Sequence, residues 1–217
     1  MGISLSVSNS KLVKTSGESY KVVGFGLPAD HDFVGPNGEV MNTCFGAGAC
    51  RGPCFAKQGR YIMESVMNPR IQNLEESMKD SFVDDMVAAL RRKRSYNTVR
   101  IHDSGDFYSQ QYLNKWIQIA RALPGKIFYA YTKALTLDFT QVPSNLRITQ
   151  SLGGKFDRLV NRERPHSRIF ATVEGRESAG YVDGNKDDIP AIEGEIRIGL
   201  VYHGVKNLTP AQKAYFV

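Results

Sequence analysis

Cys44, Cys50 and Cys54 are the only cysteines in the chain, and all three fall in one stretch, TCFGAGACRGPCFAKQGRY, spaced C-x5-C-x3-C. Thiolates bind soft and borderline metals, and three of them in so short a segment converge only by wrapping around one centre. An odd, clustered set is a poor disulfide framework; in a reducing compartment it reads as metal ligation or redox chemistry. Gly46, Gly48 and Gly52 supply the pliant backbone such a wrap requires. They also let amide N–H groups approach sulfur, which tunes a cluster's potential.

Three metal centres compete for these ligands. Structural zinc takes four protein ligands, so a distant His31 or His102 would have to complete the site. A [4Fe–4S] cluster on three cysteines leaves one iron open to a small molecule, water or another side chain, whereas a [3Fe–4S] cluster uses three cysteines and no more. Three small buried residues form the bland alternative, against which the spacing and the glycines speak.

The chain has 217 residues, 41% hydrophobic and 23% charged, with net charge +6 from 28 Lys and Arg against 22 Asp and Glu. One large domain over 1–217 is expected, burying roughly 70–75% of its unfolded surface. Disordered, collagen-like and coiled-coil classes are excluded. No apolar run approaches the roughly 18–20 residues of a membrane span, and the N-terminus lacks a secretory signal. The expectation is therefore a soluble cytoplasmic protein without a membrane partner. The charge permits a polyanionic partner without demanding one. The densest basic run, Arg91 to Arg94, reads as a helix end complementing the macrodipole.

Residues 3–27 alternate enough to suggest two strands around Ser16-Gly17-Glu18, the second being 21–27. Residues 28–60 form a long Gly-, Pro- and Asn-rich loop that carries every cysteine, and loops of that length are usually functional. Two helices follow, one ending near Ser77 and one from about Asp80, with Val83, Val87, Ala88 and Leu90 on one face. Strands are expected at 98–103, 126–132, 146–152, 167–173 and 195–203. Between the first two lies a helix capped by Ser104 or Asp106, burying Tyr112, Leu113, Trp116, Ile117, Ala120 and Leu123. The acidic stretch 183–195 reads as a solvated excursion, and Thr209-Pro210 starts a short terminal helix. Six strands with mostly helical connections give an α/β domain with a mainly parallel sheet, although 133–145 is short and Pro-bearing for a crossover.

The strand faces place the remaining candidates. Val99 and Ile101 oppose Arg100 and His102, and Phe128 and Ala130 oppose Tyr129 and Tyr131. A helix-covered face must be apolar, so the polar face lines the interior of a curved sheet, where each arginine needs an acidic or anionic partner. His166 and His203 read as hydrogen-bonded structural residues.

The blocks NSKL (9–12), GLPA (26–29), CFAKQGRY (54–61), VRIHDSGDFYSQQYLNKW (99–116) and YAYTK (129–133) together resemble the phage-encoded gene product 88 family, regarded as radical-SAM-like. The resemblance covers roughly residues 9–155 and leaves 155–217 without a counterpart. It implies a partial (β/α)6 barrel whose cysteine loop follows the first core strand, with an iron–sulfur cluster at the C-terminal mouth of the strands. Cys44, Cys50 and Cys54 would be its ligands. Asp103, Asp106, Arg100, His102, Tyr131 and Lys133 would line the cofactor site, with Lys133 and Arg100 neutralising a SAM carboxylate or pairing with Asp103 or Asp106. Radical-SAM enzymes, however, usually space their cysteines C-x3-C-x2-C and carry Gly-Gly-Glu where this chain has His102-Asp103-Ser104-Gly105-Asp106. Gly153-Gly154 is the only glycine pair placed to cradle SAM. Three functions follow: an iron–sulfur protein that cleaves SAM reductively, a non-catalytic iron–sulfur protein with a redox partner, or a zinc-stabilised nucleic-acid binder.

Overall fold

The computed structural model describes residues 2–202. Its sheet contains β1 (Val22–Phe25), β4 (Thr98–Ile101), β5 (Ile127–Thr132), β6 (Leu146–Ser151), β7 (His166–Phe170), β8 (Val182–Asp183) and β9 (Arg197–Val201), while β2 (Asp32–Val34) and β3 (Val40–Asn42) make a separate antiparallel hairpin. The seven strands run in the order β1-β4-β5-β6-β7-β9-β8 and curl into a half-barrel. Every pairing is parallel, including β5 with β6 across the non-helical stretch 133–145. Asn145 makes that crossover tight: its side-chain amide donates to the carbonyls of Ala120 (2.9 Å) and Lys126 (3.0 Å).

Helices α2 (Glu64–Met78), α3 (Phe82–Arg92) and α4 (Gln110–Ala122) cover the outer face. Their apolar stripes meet Phe25, Val99, Ile101 and Phe128 in the main core, around a fully buried Trp116. The stripe of α3 is Phe82, Met86, Val87 and Leu90 rather than one running through Ala88, which is exposed. The cap of α4 is Ser109, whose side chain accepts from Tyr112 N–H, because Asp106 is drawn to other donors.

The inner face is plugged rather than open. Residues Ser10–Thr15 form α1, not the expected strand: the Asn9 side chain caps it by accepting from Lys11 N–H, and Leu12 packs over Gly24, where a side chain would collide. The acidic stretch is likewise structural. It begins at the end of β8 and holds α6 (Ile189–Glu193), and its Asp187 and Asp188 are buried. Leu12 and Ile192 join Tyr129 and Ile198 in a second core between these helices and the sheet. The strand expected to run to 173 stops at Phe170, since Thr172 caps α5 (Val173–Ser178). His203 and the helix expected at Thr209-Pro210 lie outside the described residues.

Two residues of β4 depart from the expected shared face. Arg100 points inward, but His102 has φ 66°, which ends the strand's alternation and turns the ring toward the outer core. There it lies among Phe107, Tyr112 and Trp116, with Nε2 2.9 Å from the Tyr112 hydroxyl. Burial lowers its pKa to about 3. The unfolded chain therefore binds a proton below pH ~6.5 that the native chain refuses, so stability present above that pH is lost as pH falls toward 3. Urea denaturation should show wild-type stability falling between pH 6.5 and 4.5 with a slope of up to about 1.4 kcal/mol per unit from this group. His102→Asn, a residue that tolerates positive φ, should flatten that slope; parallel profiles would contradict the placement.

A cysteine loop at the strand ends

The segment after β1 builds the site from its backbone outward. Thr43 Oγ1 donates to the Pro28 carbonyl (2.6 Å) and accepts from His31 N–H (3.0 Å), tying the base of the β2–β3 hairpin to the chain leaving β1. Cys44 follows, its N–H held by Asn42 Oδ1 (2.7 Å). Cys50 lies in the 3-10 turn Ala49–Arg51, and Cys54 immediately precedes a second, Phe55–Lys57.

Asp30 organises this loop. With φ 50°, it aims its N–H at Cys44 Sγ (3.3 Å) while its carboxylate takes Arg51 and Lys57, each at 2.9 Å. One side chain thus pins both turns that carry the other two cysteines. Sequence reasoning missed Asp30; the available signal was two basic residues interleaved with the cysteines and an acidic one just upstream.

The loop is docked by glycines. Lys155 N–H donates to the Gly46 carbonyl (2.9 Å), and Ala47 bridges Gly154. A Cβ on Gly46 would run into the Lys133 carbonyl, and one on Gly48 would lie 2.9 Å from Gly154 backbone. Lys133 follows β5 and Gly154 follows β6, so the cysteines stand at the C-terminal ends of the strands. Gly46→Ala meets backbone that cannot swing aside, and overpacking of this kind costs about 1–3 kcal/mol. The variant should melt earlier and release its cysteine loop, read as faster proteolysis between residues 44 and 60; wild-type behaviour would contradict the docking.

Two of the thiols are raised by their surroundings. Burial, then the charge of Asp106, pushes Cys44 up to about 12, with Cys54 and Cys50 adding to the rise and the Asp30 amide opposing it. Burial also raises Cys54, opposed by the Ala56 N–H and reinforced by Cys50. Among the described residues, no group of three or more His, Cys, Asp and Glu stands ready to hold a metal ion. The donor chemistry nonetheless fits a thiolate-bound centre: three half-buried thiols, two of them receiving backbone N–H groups.

The other expected cofactor residues divide. Asp106 is at the mouth, accepting from Thr132 Oγ1 (2.6 Å), Lys133 N–H (2.8 Å) and Phe107 N–H (2.7 Å). Burial raises its carboxyl to about 6 against those donors. Asp103 pairs with Arg70 (2.6 Å) and accepts from Asn9 Nδ2 (3.1 Å), which also donates to Tyr61. Arg70 also bonds Ser104 Oγ (2.8 Å) and lies over the Tyr61 ring. Four of the five quoted sequence blocks thus meet at this corner: Asn9, Tyr61, Asp103 and Ser104 each supply a bond, and the GLPA block accepts from Ser104 Oγ through the Leu27 carbonyl. Arg100 is not paired with Asp103 or Asp106. Its partner is Asp188 (2.7 Å), the residue before α6, which also accepts from Tyr129 (3.0 Å) and stands beside Tyr131. His102 is not at the mouth at all, so it cannot complete a metal site with the cysteines.

Fold and site together define an all-parallel α/β half-barrel whose mouth carries a three-cysteine loop. The chain belongs to the Gene product 88 family, which it matches over residues 3–213. It is similar to the Gene 88 proteins of Mycobacterium phages D29 and L5, at 26% identity over 155 residues in each case. Those matches cover 60% of this chain and 61% of each relative, so the chain spans less than two thirds of their length. No solved structure matches the chain. Among the described residues no helix is long and apolar enough to cross a membrane.

Proposed function

We propose that this protein binds an iron–sulfur cluster through Cys44, Cys50 and Cys54, in the radical-SAM-like manner that its sequence blocks suggest. The observation that carries the reading is the docked loop: three half-buried thiols at the strand mouth, with amide N–H groups on Cys44 and Cys54. A single ion gripped by all three sulfurs would need them about 4 Å apart, given metal–sulfur bonds near 2.3 Å. A polynuclear cluster spreads its ligands over several irons and asks for less convergence. When bound, a cluster supplies electron transfer and, in its four-iron form, one iron without a cysteine.

The protein's own groups do the rest. Asp30 fixes the two 3-10 turns, and the glycine contacts hold the loop on the ends of β5 and β6. The groups that would receive SAM are largely engaged within the chain, Arg100 by Asp188 and Asp103 by Arg70. That engagement favours a redox or assembly role, with SAM cleavage as the activity to be tested. Protein prepared without oxygen should be brown, with absorption near 400 nm. Adding SAM and a strong reductant should then yield no 5′-deoxyadenosine beyond the no-protein control. Turnover would overturn the non-catalytic part of the reading, and colourless protein the whole of it.

A further inference from the structure

Asp30 lies upstream of the cysteines yet reaches every part of the loop that carries them. Its N–H donates to Cys44 Sγ (3.3 Å). Its carboxylate is divided: Oδ1 faces Nη1 of Arg51, the neighbour of Cys50 (2.9 Å), and Oδ2 accepts from Nζ of Lys57, on the turn that Cys54 precedes (2.9 Å). Asn42 joins them, donating through Nδ2 to Asp30 Oδ1 (3.3 Å) while its own Oδ1 accepts the Cys44 N–H (2.7 Å). The two turns have little else to fix them. Neither has a side-chain cap; Ala49–Arg51 buries none of its residues, and Phe55–Lys57 buries only Ala56. The acid's side chain is 10% exposed, whereas those of Arg51 and Lys57 are 39% and 45% exposed. Both carboxylate oxygens are taken by cations, the arrangement of a clamp and not of a metal ligand.

We propose that Asp30 is a positioning residue whose charge sets how long the centre on Cys44, Cys50 and Cys54 is retained, and makes that retention sensitive to ionic strength. The proposal rests on the iron–sulfur reading above. A loop free to swing must be ordered each time it closes on a cluster, and every residue ordered costs conformational entropy. One buried carboxylate shared by two turns limits that freedom before any metal arrives, as supporting contacts do around metal ligands. An isolated, exposed ion pair would contribute little. Here two cations meet one acid whose N–H is on the sulfur of Cys44, so the turns of Cys50 and Cys54 are tied to the third ligand through a single residue. Because both cations reach water, salt screens the clamp, and the centre is lost faster as ionic strength rises.

Asp30→Asn removes the charge but keeps the size of the side chain and a residue type that accepts φ 50°. In cluster-loaded protein at low salt, iron release to a chelator should be about fivefold faster in this variant. Its absorption spectrum should be that of the wild type. Raising salt from about 0.05 M to about 1 M should accelerate release from the wild type and leave Asp30→Asn nearly unchanged. Arg51→Met with Lys57→Met should also release iron fast, and adding Asp30→Asn to that pair should make it no faster. Equal release from wild type and Asp30→Asn, the same salt dependence in both, additive effects, or an altered spectrum that marks Asp30 as a ligand would each overturn the proposal.

Metal-free protein supplies an arm that needs no iron. Chymotrypsin should cut after Phe55 about fivefold faster in Asp30→Asn than in the wild type at low salt, each rate taken relative to a free peptide of residues 50–60. At high salt the two proteins should be cut alike. Their urea midpoints should coincide, because Asp30, Arg51 and Lys57 belong to neither hydrophobic core. A lowered midpoint would make Asp30 a residue of the global fold and overturn its role as a local clamp. Should the wild type bind no iron, the cluster reading fails by itself; the cleavage rates still decide the clamp, and equal rates at low salt would reject it.

Discussion

Cys50→Ala protein purified without oxygen is expected to contain almost no iron and to be colourless, while folding as well as the wild type. Cys50 lies between the other two thiols in the chain, on the Ala49–Arg51 turn that Asp30 pins through Arg51. On the proposed ligand set, Cys50→Ala leaves only Cys44 and Cys54, with no thiolate on the Ala49–Arg51 turn, which is too few to keep a cluster bound through three. Folding should survive because none of the cysteines is part of either hydrophobic core; each is only partly buried in a surface loop. The change in unfolding free energy should stay within about 1 kcal/mol. Iron analysis alongside urea denaturation checks both halves. A coloured, iron-bearing Cys50→Ala protein would remove that residue from the ligand set.

Asp188→Ala should behave in the opposite sense, losing stability while leaving the cysteines intact. Asp188 is buried at the entrance to α6, where its carboxylate accepts from Arg100 (2.7 Å) and from Tyr129 (3.0 Å) and stands 3.8 Å from Lys11. Burial works against the Arg100 charge, and the Asp188 carboxylate is what sustains it. Removing the acid strands a guanidinium inside the curl of the sheet, and breaking a buried pair this way costs about 3–5 kcal/mol. Asp188 also anchors the plug, since its N–H donates to Thr15 of α1 (2.9 Å). The loss should appear as a lower denaturation midpoint. Arg100→Met with Asp188→Leu, which removes both charges, should recover part of it; a double variant no better than the sum of the singles would show that the pair is not coupled.

Much of this architecture was legible in the chain because it follows period and punctuation. The strands from β4 through β7 and β9 are apolar alternating runs, and α4 announces itself through Tyr112, Leu113, Trp116 and Ile117 and its Pro124-Gly125 stop. What was missed depends on contacts distant in sequence. Ser10–Thr15 alternates like a strand, yet a side-chain cap and a glycine on another element make it helical. Asp188 looks like solvated charge until the partner 88 residues earlier is placed against it. His102 was put on the wrong face because a single positive φ reverses the alternation, and nothing local marks it.

The site divides in the same way. The cysteine trio came from its spacing, and the mouth position of Asp106 and Lys133 from what the family resemblance implies. Asp30 and the Asn9–Tyr61–Arg70 corner around Asp103 did not, because their roles are set by the fold of a long loop and the reach of side chains across elements.

Elemental and acid-labile sulfide analysis of wild-type protein, isolated and kept free of oxygen, bears most directly on the whole account. Three or four irons per chain with a matching amount of sulfide is the result expected. Zinc in a one-to-one ratio, or iron without sulfide, would contradict it.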